Sequence, residues 1–125
     1  MVNNNIASVS LKKCSLPDGF LRYLSWGLAK NTKLRELDLS DNKFSPVGVK
    51  DLSNALALNH HLKLEKLDLS NNFIRDEGAS MLATSIEINR SLENISVAGN
   101  DIADRGGQKL TEAIESNSVL CEFKS

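Results

Sequence analysis

LRELDLSDNKF, residues 34–44, returns as LEKLDLSNNFI at 64–74 and as LENISVAGNDI at 92–102, and a looser copy, IASVSLKKCSL, occupies 6–16. The copies start 28, 30 and 28 residues apart, and Leu120 follows Leu92 by another 28. Nearly the whole chain of 125 residues is therefore one unit written four times, with the start of a fifth. A period of this length means stacked supersecondary units, each burying its apolar face only against its neighbours.

Aligned copies separate what the fold dictates from what it leaves free. One apolar column holds Ile6, Leu34, Leu64, Leu92 and Leu120; a second holds Val9, Leu37, Leu67, Ile95 and Phe123; a third holds Leu11, Leu39, Leu69 and Val97. Their alternation with polar residues predicts a short strand with one buried face. A strand that returns in the same register after 28 or 30 residues pairs in parallel and needs a crossover. Leu24, Leu52, Leu82 and Leu110, each followed four residues on by Leu28, Leu56, Ile86 or Ile114, predict that the crossover is a helix with an inward stripe. Ser45-Pro46 supplies an N-cap and a first-turn proline, and Asp76, Glu77 and Asp104 place acids at helix starts. Asn31, Asn59, Asn89 and Asn117 stand at the helix ends, where asparagine tolerates the left-handed conformation.

The column Cys14, Asn42, Asn72 and Asn100 marks where the chain leaves the strand and backbone groups lose ladder partners. A buried amide both donates and accepts, so these asparagines are expected to satisfy that backbone, and Cys14 to be buried and inert with them. Gly48, Gly78 and Gly106 stand six residues further on, where close backbone approach or an unusual dihedral excludes a Cβ.

The pattern LxxLxLxxN/CxL, a glycine, LxxAL and a closing asparagine resembles the ribonuclease-inhibitor class of leucine-rich repeats. That resemblance implies an α/β fold: a right-handed solenoid with a parallel concave sheet and convex helices, about four repeats plus a fifth strand. It is read as a single domain, 1–125, with repeats starting near 6, 34, 64 and 92 and a partial fifth from 120. Known members include sensor domains of NOD-like receptors, Ran GTPase-activating protein and the actin-capping domain of tropomodulin, so the class alone does not fix a function.

The bulk chemistry narrows the field. With 15 basic and 16 acidic residues the net charge is -1, which gives neither nucleic acid nor an anionic membrane a reason to be the partner. No apolar run reaches the roughly 20 residues of a membrane span, and MVNNNIASVS lacks the basic and apolar parts of an export signal, so a cytoplasmic location is expected. Two cysteines in distant repeats, Cys14 and Cys121, are expected to remain free thiols. The sequons at Asn89 and Asn94 are then unused. No catalytic set, cofactor motif or metal-ligand spacing is present, and His60-His61 is read as a solvated loop in the copy that is two residues longer. The expectation is no enzyme, no cofactor and no metal.

Function then rests on the free positions. The outward strand columns are Ser8, Glu36, Lys66, Asn94 and Glu122; Ser10, Asp38, Asp68, Ser96 and Lys124; and Lys12, Ser40, Ser70 and Ala98. Glu36, Asp38, Lys66, Asp68 and Asn94 are the candidates on the concave face, with Asp38 and Asp68 as lateral neighbours offered to a basic group. Phe73 is expected half-exposed on the rim, and Tyr23 and Trp26 off the inward stripe of the first helix, all three as protein contacts. These expectations describe a non-catalytic protein-protein interaction module using the concave face plus the rim or ends. The alternatives are a structural subunit embedded in a larger assembly, with a neighbouring subunit or further repeats covering the C-terminal end, or a regulator of a GTPase or of actin.

Overall fold

The computed structural model describes residues 8–117, 119 and 122–124; the expected positions Ile6, Leu120 and Cys121 lie outside them. Strands and helices alternate along the chain. The strands are β1 (Ser8–Ser10), β2 (Glu36–Asp38), β3 (Lys66–Asp68), β4 (Asn94–Ser96) and β5 (Glu122–Lys124), and the helices are α1 (Asp18–Leu28), α2 (Pro46–Leu58), α3 (Arg75–Ile88) and α4 (Asp104–Ser116). The sheet runs in sequence order, parallel throughout, with Val9, Leu37, Leu67, Ile95 and Phe123 in register. The repeat spacing thus sets the strand register, as the sequence predicts.

Side chains between sheet and helices form one core. Leu37, Leu67 and Ile95 from the strands meet Leu52, Leu82 and Leu110 from the helices, all buried. Phe44 and Ile74, just after the asparagines, are fully buried too, and each such side chain contributes roughly 1.5–3 kcal/mol of hydrophobic stabilisation.

Each inner helix carries two buried stripes rather than the single stripe expected. On α2 one is Gly48, Leu52 and Ala55, and the other, one position on, is Val49, Ser53 and Leu56. The helix α1 buries only the counterparts of the second, Leu21, Ser25 and Leu28, while α4 buries only those of the first, Gly106, Leu110 and Ala113. One stripe therefore faces the preceding coil and one the following coil. At the ends a stripe has no described neighbour, which leaves Leu24 and Ile114 half-buried.

The asparagine column does what a buried amide predicts. Asn72 Nδ2 donates to the carbonyls of Leu39 (3.0 Å), Leu69 (3.0 Å) and Ser70 (3.2 Å), and its Oδ1 accepts from Phe44 N–H (3.1 Å). Asn42 and Asn100 repeat the arrangement, joining their own coil to the one before.

Two expectations fail here. Cys14 is exposed, its N–H held by Asn42 Oδ1 at 3.1 Å and its thiol near Lys12 O at 3.5 Å. This column is buried by the preceding coil, and no described residue lies on that side of β1; Val9, 39% exposed, is uncovered for the same reason. The helix-end asparagines are not left-handed: Asn59, Asn89 and Asn117 have φ of -87°, -66° and -98°. They build a second ladder instead. Asn59 Nδ2 donates to Leu28 O (2.7 Å) and Asn31 O (3.0 Å), and Asn117 Nδ2 to Ile86 O (2.6 Å) and Asn89 O (2.7 Å). Asn89 Nδ2 reaches Leu56 O at 3.2 Å, so the amide of that sequon is buried and engaged.

The glycines reflect close approach between coils. A Cβ on Gly48 would lie 3.1 Å from Asp18 Cα, and one on Gly106 2.9 Å from Asp76 Cα; on Gly78 the obstacle is Ile74 Cγ2 of its own coil, at 2.6 Å, with Pro46 Cα at 3.7 Å. The pairing of glycine with aspartate has a purpose. Asp18 accepts from Ser45 N–H (2.7 Å) and Oγ (2.5 Å), and Asp76 Oδ1 from Ala103 N–H (2.7 Å) and Gly106 N–H (3.2 Å). Asp76 thereby caps a first-turn N–H of α4, whereas Asp18 holds Ser45, whose own Oγ accepts from Val47 N–H at 3.3 Å at the start of α2; at both helix starts the dipole favours the negative charge. At the same place α2 has Pro46, which offers no acceptor. Arg75 N–H turns the other way, to Asn100 O at 2.9 Å, and Arg75 adopts φ +57° where Ser45 and Ala103 are extended.

Candidate functional site

In three-residue strands the first and last side chains point away from the core. Glu36, Lys66 and Asn94 form one lateral row and Asp38, Asp68 and Ser96 the next, at the spacing of ~4.8 Å that parallel pairing imposes. With the ends of β1 and Lys124 they line a shallow depression of about 450 Å³. Lys66 Nζ lies 4.0 Å from a Glu36 carboxylate oxygen, both side chains about half exposed. Such a pair contributes at most ~1 kcal/mol to stability, so its charges are available to a partner.

Asp38 and Asp68 are not simply lateral carboxylates open to a basic group. Asp38 Oδ1 accepts from Ser40 N–H (3.0 Å) and Oγ (2.6 Å), and Asp68 Oδ1 from Ser70 N–H (2.9 Å) and Oγ (2.6 Å). One oxygen of each closes the turn at the strand end, and both residues are half-buried. The expected third outward column faces out only in part: Ser40 is 2% exposed, and Ser70 and Ala98 are half-buried. Lys12 is exposed and lies 3.9 Å from Asp41.

The remaining candidates stand elsewhere. Phe73, 45% exposed, is held on the rim by its N–H bond to Phe44 O at 2.8 Å. Tyr23 and Trp26 lie on the outer side of α1, 68% and 60% exposed, with ring centroids 5.3 Å apart in an edge-to-face arrangement and the Arg22 guanidinium 5.8 Å from the Trp26 ring. The candidates therefore fall on three surfaces, not one. His60 and His61 are exposed in their loop, where His61 N–H donates to Asn59 Oδ1 at 2.9 Å.

Two features of the outer face escape the reading of the strands. Val47 and Leu58 on α2 are 71% and 75% exposed. Charge is also graded along the coils. Residues 8–33 carry Lys12, Lys13, Arg22, Lys30 and Lys33 against Asp18, a net of +4. Residues 34–63 balance four basic against four acidic, 64–91 carry three against five for -2, and 92–117 carry two against five for -3. Counting by repeat instead of by chain exposes this gradient, which the total of -1 conceals.

Comparison with known proteins agrees with this architecture. The family model described as Leucine Rich repeat matches residues 30–53, 59–83 and 89–110. The chain is 34% identical over 110 residues to NACHT, LRR and PYD domains-containing protein 4E of Mus musculus, covering 88% of this chain and 11% of that protein. Against the ribonuclease inhibitor of Sus scrofa it is 32% identical over 117 residues, covering 94% of this chain and 25% of the inhibitor. It thus spans a quarter or less of these two relatives' length. The tropomodulin C-terminal domain of Caenorhabditis elegans superposes with a TM-score of 0.84 at 15% identity, covering 98% of this chain and 74% of that one. Leiomodin-1 actin-binding site 2 superposes with a TM-score of 0.82 at 16% identity, covering 96% and 69%; both share the fold. The chain belongs to the leucine-rich repeat family, in its ribonuclease-inhibitor-like class.

Proposed function

We propose that the chain is a non-catalytic, cytosolic protein-binding module whose partner docks across Glu36, Asp38, Lys66, Asp68 and Asn94 and reaches the rim at Phe73. The observation that carries this reading is the depression over the strands, where rows of polar side chains with unused hydrogen-bonding capacity lie side by side on a rigid sheet. Protein binding is also what the names of the ribonuclease inhibitor and of the leiomodin actin-binding site state for those proteins. A sheet of five strands spans only ~20 Å, so the face offers a few hundred Å², below the ~800 Å² per partner of a standard interface. Phe73 and surfaces beyond the sheet supply the rest.

The test is to exchange Glu36→Lys with Lys66→Glu, which keeps the exposed ion pair but inverts the charge pattern a partner reads. Affinity capture from source cells with mass spectrometry identifies wild-type partners, and binding is then measured for both proteins. At least tenfold weaker binding by the exchanged protein, with an unchanged melt, is expected. Undiminished binding of every captured partner refutes the concave docking site.

A further inference from the structure

We infer that the outer face of α1 and α2 is a second docking surface, for an acidic protein segment that carries apolar side chains. Arg22, Tyr23, Trp26 and Lys30 are all exposed on one side of α1 and its end, and Val47 and Lys50 are exposed beside them on α2, where Lys50 holds the place of Arg22 one coil on. Solvent-facing helix positions are ordinarily polar, and the same columns on α4 hold Arg105, Gln108, Lys109 and Glu112. The two rings meet edge to face and the Arg22 guanidinium lies over Trp26, so the three side chains already stand together as one contact patch. Tyr, Trp and Arg are also the residue types that dominate interface energies. Exposed apolar area here is on the order of a few hundred Å², the scale at which a patch marks an interaction site.

Charge selects the occupant. Residues 8–33 are at +4 and residues 92–117 at -3, so an acidic segment is drawn to the first coil and repelled from the fourth. On α1 the one acid, Asp18, is engaged by Ser45. On α2 Asp51, which holds the place of Tyr23 one coil on, is half-buried. Three exposed cations fall short of the four to eight that bring a surface to an anionic membrane, whereas beside two aromatic anchors they suit glutamates alternating with leucines on a partner.

Trp26 is the chain's single tryptophan, so its emission reports on the patch directly. The probe is a labelled peptide of alternating Glu-Glu and Leu-Leu pairs, compared with its Lys-Lys counterpart and with vesicles of phosphatidylserine and phosphatidylcholine. Saturable binding of the acidic peptide with a blue shift of Trp26 emission is expected, together with at least tenfold weaker anisotropy-measured binding by Arg22→Glu/Lys30→Glu/Lys50→Glu and by Trp26→Ala. The Glu36→Lys/Lys66→Glu protein should bind the peptide as wild type does, which separates this surface from the concave one. All substituted residues are exposed, so a wild-type melt is required of each variant. No saturable binding of the acidic peptide, equal binding of the lysine peptide, indifference to the substitutions, or binding to vesicles alone would each overturn the inference.

Discussion

Replacing Asn72 with leucine keeps the number and branching of the side-chain heavy atoms while removing the amide, so it probes what the ladder contributes. Asn72 is 3% exposed. Its loss orphans Phe44 N–H, for which Asn72 Oδ1 at 3.1 Å is the acceptor. Three carbonyls lose one donor each but keep another: Leu39 O retains Asn42 Nδ2, Leu69 O retains Asn100 Nδ2, and Ser70 O retains Asp41 N–H. One buried orphan costs about 1–3 kcal/mol and each lost bond ~0.5–1 kcal/mol, which puts the total at roughly 3–5 kcal/mol. Domains of this size are stable by only about 5–15 kcal/mol, so roughly a fifth or more of the stability should go. Urea denaturation followed by far-ultraviolet circular dichroism reads this as a lower midpoint at unchanged slope. The control is Asn94→Leu on the half-buried concave face, expected within ~0.5 kcal/mol of wild type. If Asn72→Leu also stays within ~1 kcal/mol, the ladder is not the structural device described above.

Two further substitutions test the joints between coils. Pro46→Asp supplies the acceptor that Asp18 and Asp76 supply elsewhere, so Arg75 should leave φ +57° for the extended conformation of Ser45 and Ala103. Relief of that strain and a new cap outweigh the lost proline rigidity by about 1 kcal/mol; a lower midpoint, or an unmoved Arg75 in a crystal structure, would count against it. Neighbouring glycines should respond with opposite sign. Gly106→Ala drives a methyl to 2.9 Å from Asp76 Cα and displaces the Asp76 carboxylate from α4, costing about 2–3 kcal/mol. At Gly107 a Cβ meets nothing within 4 Å, so alanine there gains up to ~1 kcal/mol of helix propensity; denaturation midpoints that move the same way would refute the assigned contacts.

What could be read ahead of the structure is what recurs. Leu37, Leu67 and Ile95 announce the strands, and Leu52, Leu82 and Leu110 the helices, because burial imposes the same choice on every coil. The polar columns were harder, since one residue type serves different geometry in different places. Asparagine closes helices elsewhere in a left-handed conformation, yet here Asn59, Asn89 and Asn117 are extended and reach back to the preceding coil. In sequence Asp38 and Asp68 read as lateral carboxylates open to a basic group, whereas Ser40 and Ser70 occupy one oxygen of each. Cys14 follows its column in alignment and not in burial, because burial at that position depends on a preceding coil, and no described residue lies on that side of β1.

Both asparagine ladders point the same way, since the amides of Asn42, Asn72, Asn100, Asn59, Asn89 and Asn117 all donate to the coil before them. A ribosome delivers the coils in that same order, at about 5–20 residues per second. Each newly made coil, 28 or 30 residues long, brings a further donor to carbonyls of its already emerged predecessor, as Asn72 does to Leu39 O beside Asn42. Those second bonds are thus supplied within seconds by the next segment to be made, and the solenoid is written in the direction in which it is synthesised.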